Sequence, residues 1–144
     1  MNTINKVILT SSLLFSGLSF ASSNIEVYKS PSCGCCAAWV KIMEHKGYKV
    51  DVHDQEDWTS VNQEYGLPTK LKACHTAIID GYLIEGHVPE KEIARLLKER
   101  PQDIKGLATP GMPMHSPGMA GGAYKGFDVI AYDNDANTSV YATY

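Results

Sequence analysis

Three cysteines within four positions, Cys33-Gly34-Cys35-Cys36, restrict this chain more than any other feature. The residues before them, Ile25-Glu26-Val27-Tyr28, alternate apolar with polar and predict a strand. Ser30-Pro31-Ser32 breaks it. Ser32 is placed to act as a helix N-cap, and the pattern then predicts a helix from Gly34 to Lys46. Its apolar face carries Cys36, Trp39, Val40 and Met43, and Gly47 is its stop. Cys33 and Cys36 thus form a C-x-x-C at a helix start. Free N–H groups and the helix dipole favour a thiolate there. A thiolate is both a nucleophile and a metal ligand, so the pair alone is ambiguous between redox and metal chemistry. Ala37 rather than His follows Cys36, which excludes a haem attachment motif.

Further along, Tyr48 to His53 alternates and predicts a second strand. Trp58 to Tyr65 reads as a short helix ended by Gly66 and Pro68. Thr76–Ile79 and Tyr82–Glu85, joined by Asp80-Gly81, predict a tight hairpin. Pro89 opens a helix from Glu90 to about Arg100, with Glu90 and Glu92 at its positive end and Ile93, Leu96 and Leu97 as its buried stripe. Residues 101–126 hold four Pro, six Gly and three Met and read as one long irregular loop. Phe127–Tyr132 and Ser139–Tyr144 read as a closing hairpin around Asn134-Asp135. The order of strand, Cys motif, helix, strand, short helix, hairpin and helix predicts a single α/β domain of thioredoxin-like architecture. A C-terminal Met/Gly/Pro-rich loop and an added β-hairpin extend it.

The chain of 144 residues opens with a short start bearing Lys6, an apolar run from Val7 to Phe20, and small residues ending at Ala21. This is the order of a secretory signal peptide, cleaved near Ala21. The run is too short and Ser-rich for a membrane span, which needs roughly 20 apolar residues. The expected organisation is therefore residues 1–21 as signal and 22–144 as one exported domain without a membrane span, in the periplasm. Losing Lys6 leaves 12 basic against 16 acidic residues, a balance that points away from nucleic acid.

Four cysteines in an oxidising compartment ordinarily form disulfides. Adjacent Cys35 and Cys36 do not easily serve two separate staples, given the spacing that a disulfide demands. A redox dithiol, with Cys33 attacking and Cys36 resolving, needs two sulfurs, and Cys35 would invite misplaced bonds. Three thiols so close suit a metal cluster instead. Cys74 and His75 precede the hairpin where thioredoxin-like oxidoreductases usually carry a cis-proline facing the C-x-x-C. A fourth sulfur is thus in reach of the first three. His87 lies just past the hairpin. Gly111-Met112-Pro113-Met114-His115, with Met119, adds thioethers in a loop with no periodicity to bury them. Thiolate and thioether together select copper(I) over harder ions, and closed tetrahedral zinc is the lesser alternative. His45 and His53 read as surface residues, Trp39 and Trp58 as core, and Asp51–Asp57 as a solvated face.

The segments Cys33-Gly-Cys-Cys36, Cys74-His75-Thr76, Gly81-Tyr82, Glu85-Gly-His-Val-Pro89 and Gly111-Met112-Pro113 together resemble the CopG-like periplasmic copper-resistance family, long catalogued only as a domain of unknown function. The likeness runs over roughly Ile25 to Tyr144. It implies a thioredoxin-like fold, a copper site on Cys33, Cys35, Cys36 and Cys74, and a role in copper homeostasis. The expected metal ligands are those four cysteines with His75, His87, Met112, Met114 and Met119 as nearby candidates, holding one or more copper(I) ions. No catalytic residue is assigned; a thiol–disulfide or copper oxidoreductase using Cys33 and Cys36 is the alternative. Other periplasmic copper carriers or an efflux pump are the expected partners.

Overall fold

A computed structural model of the chain describes residues 23–144. The signal-peptide expectation for residues 1–21 falls outside them. Strand β1 (Asn24–Lys29) leads through Ser30-Pro31-Ser32 into helix α1 (Gly34–His45), and β2 (Lys49–Asp54) follows. Helix α2 (Thr59–Glu64) and a 3-10 turn (Thr69–Leu71) precede the hairpin β3 (His75–Ile79) and β4 (Tyr82–Gly86). Helix α3 (Glu90–Glu99), β5 (Gly106–Thr109), β6 (Asp128–Tyr132) and β7 (Thr138–Thr143) complete the chain. The strands form one seven-stranded sheet in the order β2-β1-β3-β4-β5-β6-β7. The β1–β2 and β4–β5 pairs are parallel and the other four antiparallel. Among the described residues no helix is long and apolar enough to cross a membrane.

The period-two patterns explain the layering. Alternate strand residues Ile25, Val27, Ala77, Ile79, Ile84, Leu107 and Val129 share one apolar cluster with Trp39, Val40 and Met43 of α1 and Ile93 and Leu96 of α3. The residues between them point the other way. Leu83, Ala108 and Tyr132 meet Leu67 and Leu71 in a second, smaller cluster. The main core therefore lies between the sheet and helices α1 and α3. Asp80, at φ 48°, and Gly81, at φ 85°, occupy the two left-handed positions that the tight β3–β4 turn requires.

Two sequence expectations need correction. The N-cap of α1 is Cys33, not Ser32: the Cys33 sulfur accepts from the Cys36 N–H at 3.3 Å. Residues 101–126 are not one irregular loop either, because β5 lies inside them and is buried throughout. β5 pairs with β4 on one side and β6 on the other, so the final hairpin is a continuation of the same sheet. β2 is more exposed than its alternation implies, with Val52 at 41% exposure, because it forms an edge of the sheet.

Candidate metal centre

The break at Pro31 and the cap at Cys33 put the first three sulfurs at the amino-terminal end of α1. Cys33 and Cys36 are joined by a disulfide with a Cα separation of 5.3 Å, and Cys35 and Cys74 are free. Cys33 and Cys35 sulfurs stand 3.6 Å apart. Cys36 is fully buried, and its sulfur lies 3.5 Å from the Cys74 carbonyl oxygen. The Sγ atoms of Cys33, Cys35, Cys36 and Cys74 all fall within 4.8 Å of one another. The sulfur expected where oxidoreductases keep a cis-proline is thus in the cluster, and the described residues contain no cis peptide bond. On reduction, the Cys36 N–H and the dipole of α1 favour a thiolate at Cys33.

Two imidazoles adjoin these sulfurs. Cys74 Sγ, His75 and His87 form a second donor group of the same tightness. His87 Nε2 is 3.0 Å from Cys74 Sγ, and His75 Nδ1 is 3.6 Å from it. His87 Nδ1 donates to the Pro117 carbonyl at 2.6 Å, which fixes the tautomer and turns the Nε2 lone pair toward the sulfur. Both rings are fully buried. Burial lowers the His75 pKa to about 3, with His87 and Lys29 acting in the same direction, and burial also lowers that of His87. Both are therefore neutral near pH 7, the form that ligates a metal. Burial and the neighbouring Cys35 raise the Cys74 thiol to about 12. The metal-free arrangement is thus a neutral thiol donating to a neutral imidazole. A bound cation would take the place of that thiol proton. His75 Nε2 has no hydrogen-bond partner among the described residues.

Trp39 is core, as its position on the helix implies, but it also shapes the site. Its indole N–H donates to the Val88 carbonyl at 2.9 Å, and its ring packs on His75 with centroids 4.7 Å apart. The segment after β5 closes over the same end of α1. At Gly118, with φ +86°, a Cβ would stand 2.7 Å from the Cys35 carbonyl oxygen and 2.9 Å from the Trp39 nitrogen, so only glycine allows this approach. Met112 and Met114, carried by the same segment, are exposed at 58% and 63%, and Met119 is half-buried. The structure therefore brings together the cysteines and both histidines, while Met112 and Met114 face solvent.

A buried polar group that the sequence reading passed over lies behind Cys74. Glu85, in β4, accepts from the Ala73 N–H at 2.7 Å and meets the Thr76 hydroxyl at 2.5 Å. Thr76 Oγ1 also lies 2.7 Å from Asn62 Oδ1 and accepts from the Trp58 indole at 3.0 Å. One hydroxyl proton cannot serve two acceptors. With Glu85 protonated, its carboxyl donates to Thr76 and Thr76 donates to Asn62. Burial raises the Glu85 pKa to about 7, which favours that form. The signal available in the sequence was a lone carboxylate in the apolar run Tyr82-Leu83-Ile84-Glu85.

Fold and site together define an α/β protein with a cysteine–histidine cluster that could hold a metal at the start of its first helix. Two solved structures share this architecture at 38% identity, "Copper resistance protein copG- Form 1" and "Copper resistance protein copG- Form 2". Their TM-scores are 0.79 and 0.78; each alignment covers 86% of this chain and 98% or 99% of the other. The family model "Protein of unknown function, DUF411" matches residues 71–119, the stretch from the 3-10 turn to Met119. No curated protein matches the chain. The chain belongs to the CopG copper-resistance family.

Proposed function

We propose that this chain is an exported, periplasmic copper-binding protein that takes up copper(I) through Cys33, Cys35, Cys36 and Cys74 and buffers it for copper resistance. The observation that carries this reading is the meeting of four sulfurs, from two distant parts of the chain, within 4.8 Å of one another. Four thiolates form a soft, charge-rich donor set that suits copper(I) and permits sulfur bridges between ions. The two neutral imidazoles, each with one nitrogen toward the Cys74 sulfur, fit as flanking ligands. Met112, Met114 and Met119 fit an outer role, in which exposed thioethers receive copper(I) from another periplasmic carrier or pass it to an efflux pump. Thioredoxin-like describes the unit from β1 to α3, with β5, β6 and β7 as its extension.

The Cys33–Cys36 disulfide favours a second reading, a copper oxidoreductase. Two copper(I) ions would each give one electron, the disulfide would take two electrons and two protons, and two copper(II) ions with two thiols would result. One experiment addresses both readings. Reduced and disulfide-bonded protein are titrated anaerobically with copper(I), and thiols and copper(II) are counted. Reduced protein is expected to bind more than one copper(I) per chain, with capacity lowered in Cys35→Ser. No binding, or binding unchanged by that substitution, overturns the cluster. Two new thiols per two copper(II) in the disulfide form establish the redox reading.

A further inference from the structure

Cys74 enters the centre from the end of the short connection between the 3-10 turn and β3, and His75 from the first position of β3, not from the rigid start of α1. Their placement is as important as that of the helix cysteines, because ligand geometry must be held to within about 0.5 Å for a tight site. We propose that Glu85 is the positioning residue of this centre: its buried carboxyl grips Ala73 and Thr76, one on each side of Cys74–His75, and fixes both donors against the end of α1. The inference rests on the metal-binding reading above.

Four observations carry it. Glu85 stands directly opposite Thr76 in the β3–β4 register, so its side chain shares the sheet face of Thr76. That face belongs to α2, which supplies Asn62 with Trp58 just before it, and not to α1. Glu85 therefore reaches the segment from behind, on the side away from the sulfurs. Its two oxygens divide the work, Oε1 taking the Ala73 N–H and Oε2 meeting Thr76 Oγ1. Next to it, Gly86 brings the end of β4 so close that a Cβ there would lie 2.6 Å from Ala73 Cβ. Lastly, Glu85 is 1% exposed and makes no ion pair with lysine or arginine among the described residues. A carboxyl is costly at such a place unless it is fully hydrogen-bonded, and packing alone would be met by an apolar residue like its neighbours Leu83 and Ile84.

The test compares Glu85→Gln, Glu85→Leu and Thr76→Val with the unaltered chain. Each is measured for copper(I) affinity by competition, for the ultraviolet thiolate-to-copper(I) band, and for melting temperature of the metal-free form. Glutamine keeps an acceptor for Ala73 and a donor for Thr76, as the protonated acid does, so E85Q is expected to retain the affinity and the band. E85L removes both holds and is expected to weaken copper(I) binding about 10- to 100-fold, the range for lost outer-shell partners, with an altered band. T76V removes one hold at nearly constant shape and is expected to fall between them; it decides the matter if E85L does not fold. Variants that melt lower yet bind copper(I) with unchanged affinity and band overturn the proposal, since Glu85 would then only stabilise the fold. If the unaltered chain binds no copper(I), the metal-binding reading fails instead.

Discussion

At Glu85 the same buried carboxyl gives the fold a pH dependence. Burial raises its pKa from 4.5 to about 7, while the bond from the Ala73 N–H acts in the opposite sense. The native chain keeps a proton that the unfolded chain gives up near 4.5. This contribution to stability is complete below that value and is lost as pH rises through about 7. The difference is roughly 3 kcal/mol. His75, lowered to about 3 chiefly by burial, has the opposite sign: its contribution is complete above its ordinary 6.5 and is lost as pH falls. Urea midpoints of the unaltered chain and E85Q separate the two effects. Between about pH 4.5 and about pH 7 the unaltered chain should lose this stability relative to E85Q. Parallel curves would show that Glu85 does not hold its proton. The candidate ligand residues were legible in the sequence because their chemistry sits in the side chain itself. Glu85 was not, because a carboxylate that closes an apolar run just before a glycine looks like the solvent-facing end of a strand. Its meaning comes from Thr76 across the hairpin and from Asn62 on α2, neither of which its own position reveals.

Among the elements, the segment 110–127 is held against the start of α1 by a close backbone approach. Gly118 rests on the backbone of α1, and one residue earlier Pro117 holds His87. Replacing Gly118 with Ala meets a positive φ and two backbone atoms under 3.0 Å away, so G118A should destabilise the chain by on the order of 1–3 kcal/mol. It should also loosen His87, read as a shift of its imidazole NMR signals. Unchanged stability and signals would show that the segment adjusts freely. The regular elements were readable from period and punctuation, with ends displaced by one or two residues. β5 escaped because Gly106-Leu107-Ala108-Thr109 is too short to show a pattern, and its extension comes from β4 and β6 on either side. Ser32 was the expected cap because hydroxyls lead that preference, yet the cysteine sulfur after it takes the bond.

For the whole molecule, the sheet joins a half that carries the cysteine–histidine cluster to a closing half. Phe127, Val129, Ala131 and Tyr132 come from the last two dozen residues and are all buried. The three large side chains contribute about 1.5–3 kcal/mol each by burial and Ala131 about 0.8 kcal/mol, and together they rival the 5–15 kcal/mol stability typical of a domain. A chain ending at Gly126 should therefore show no cooperative melt by circular dichroism, despite keeping every proposed ligand. A sharp transition would make β6 and β7 an accessory. The two sulfurs of the disulfide also differ in access: Cys36 is wholly buried and Cys33 is half-exposed. An arriving thiolate thus meets only one of them. In such an exchange the new bond would form at Cys33 and Cys36 would depart as the thiolate beside Cys74, so solvent access sets the order in which these two sulfurs join the already free Cys35 and Cys74.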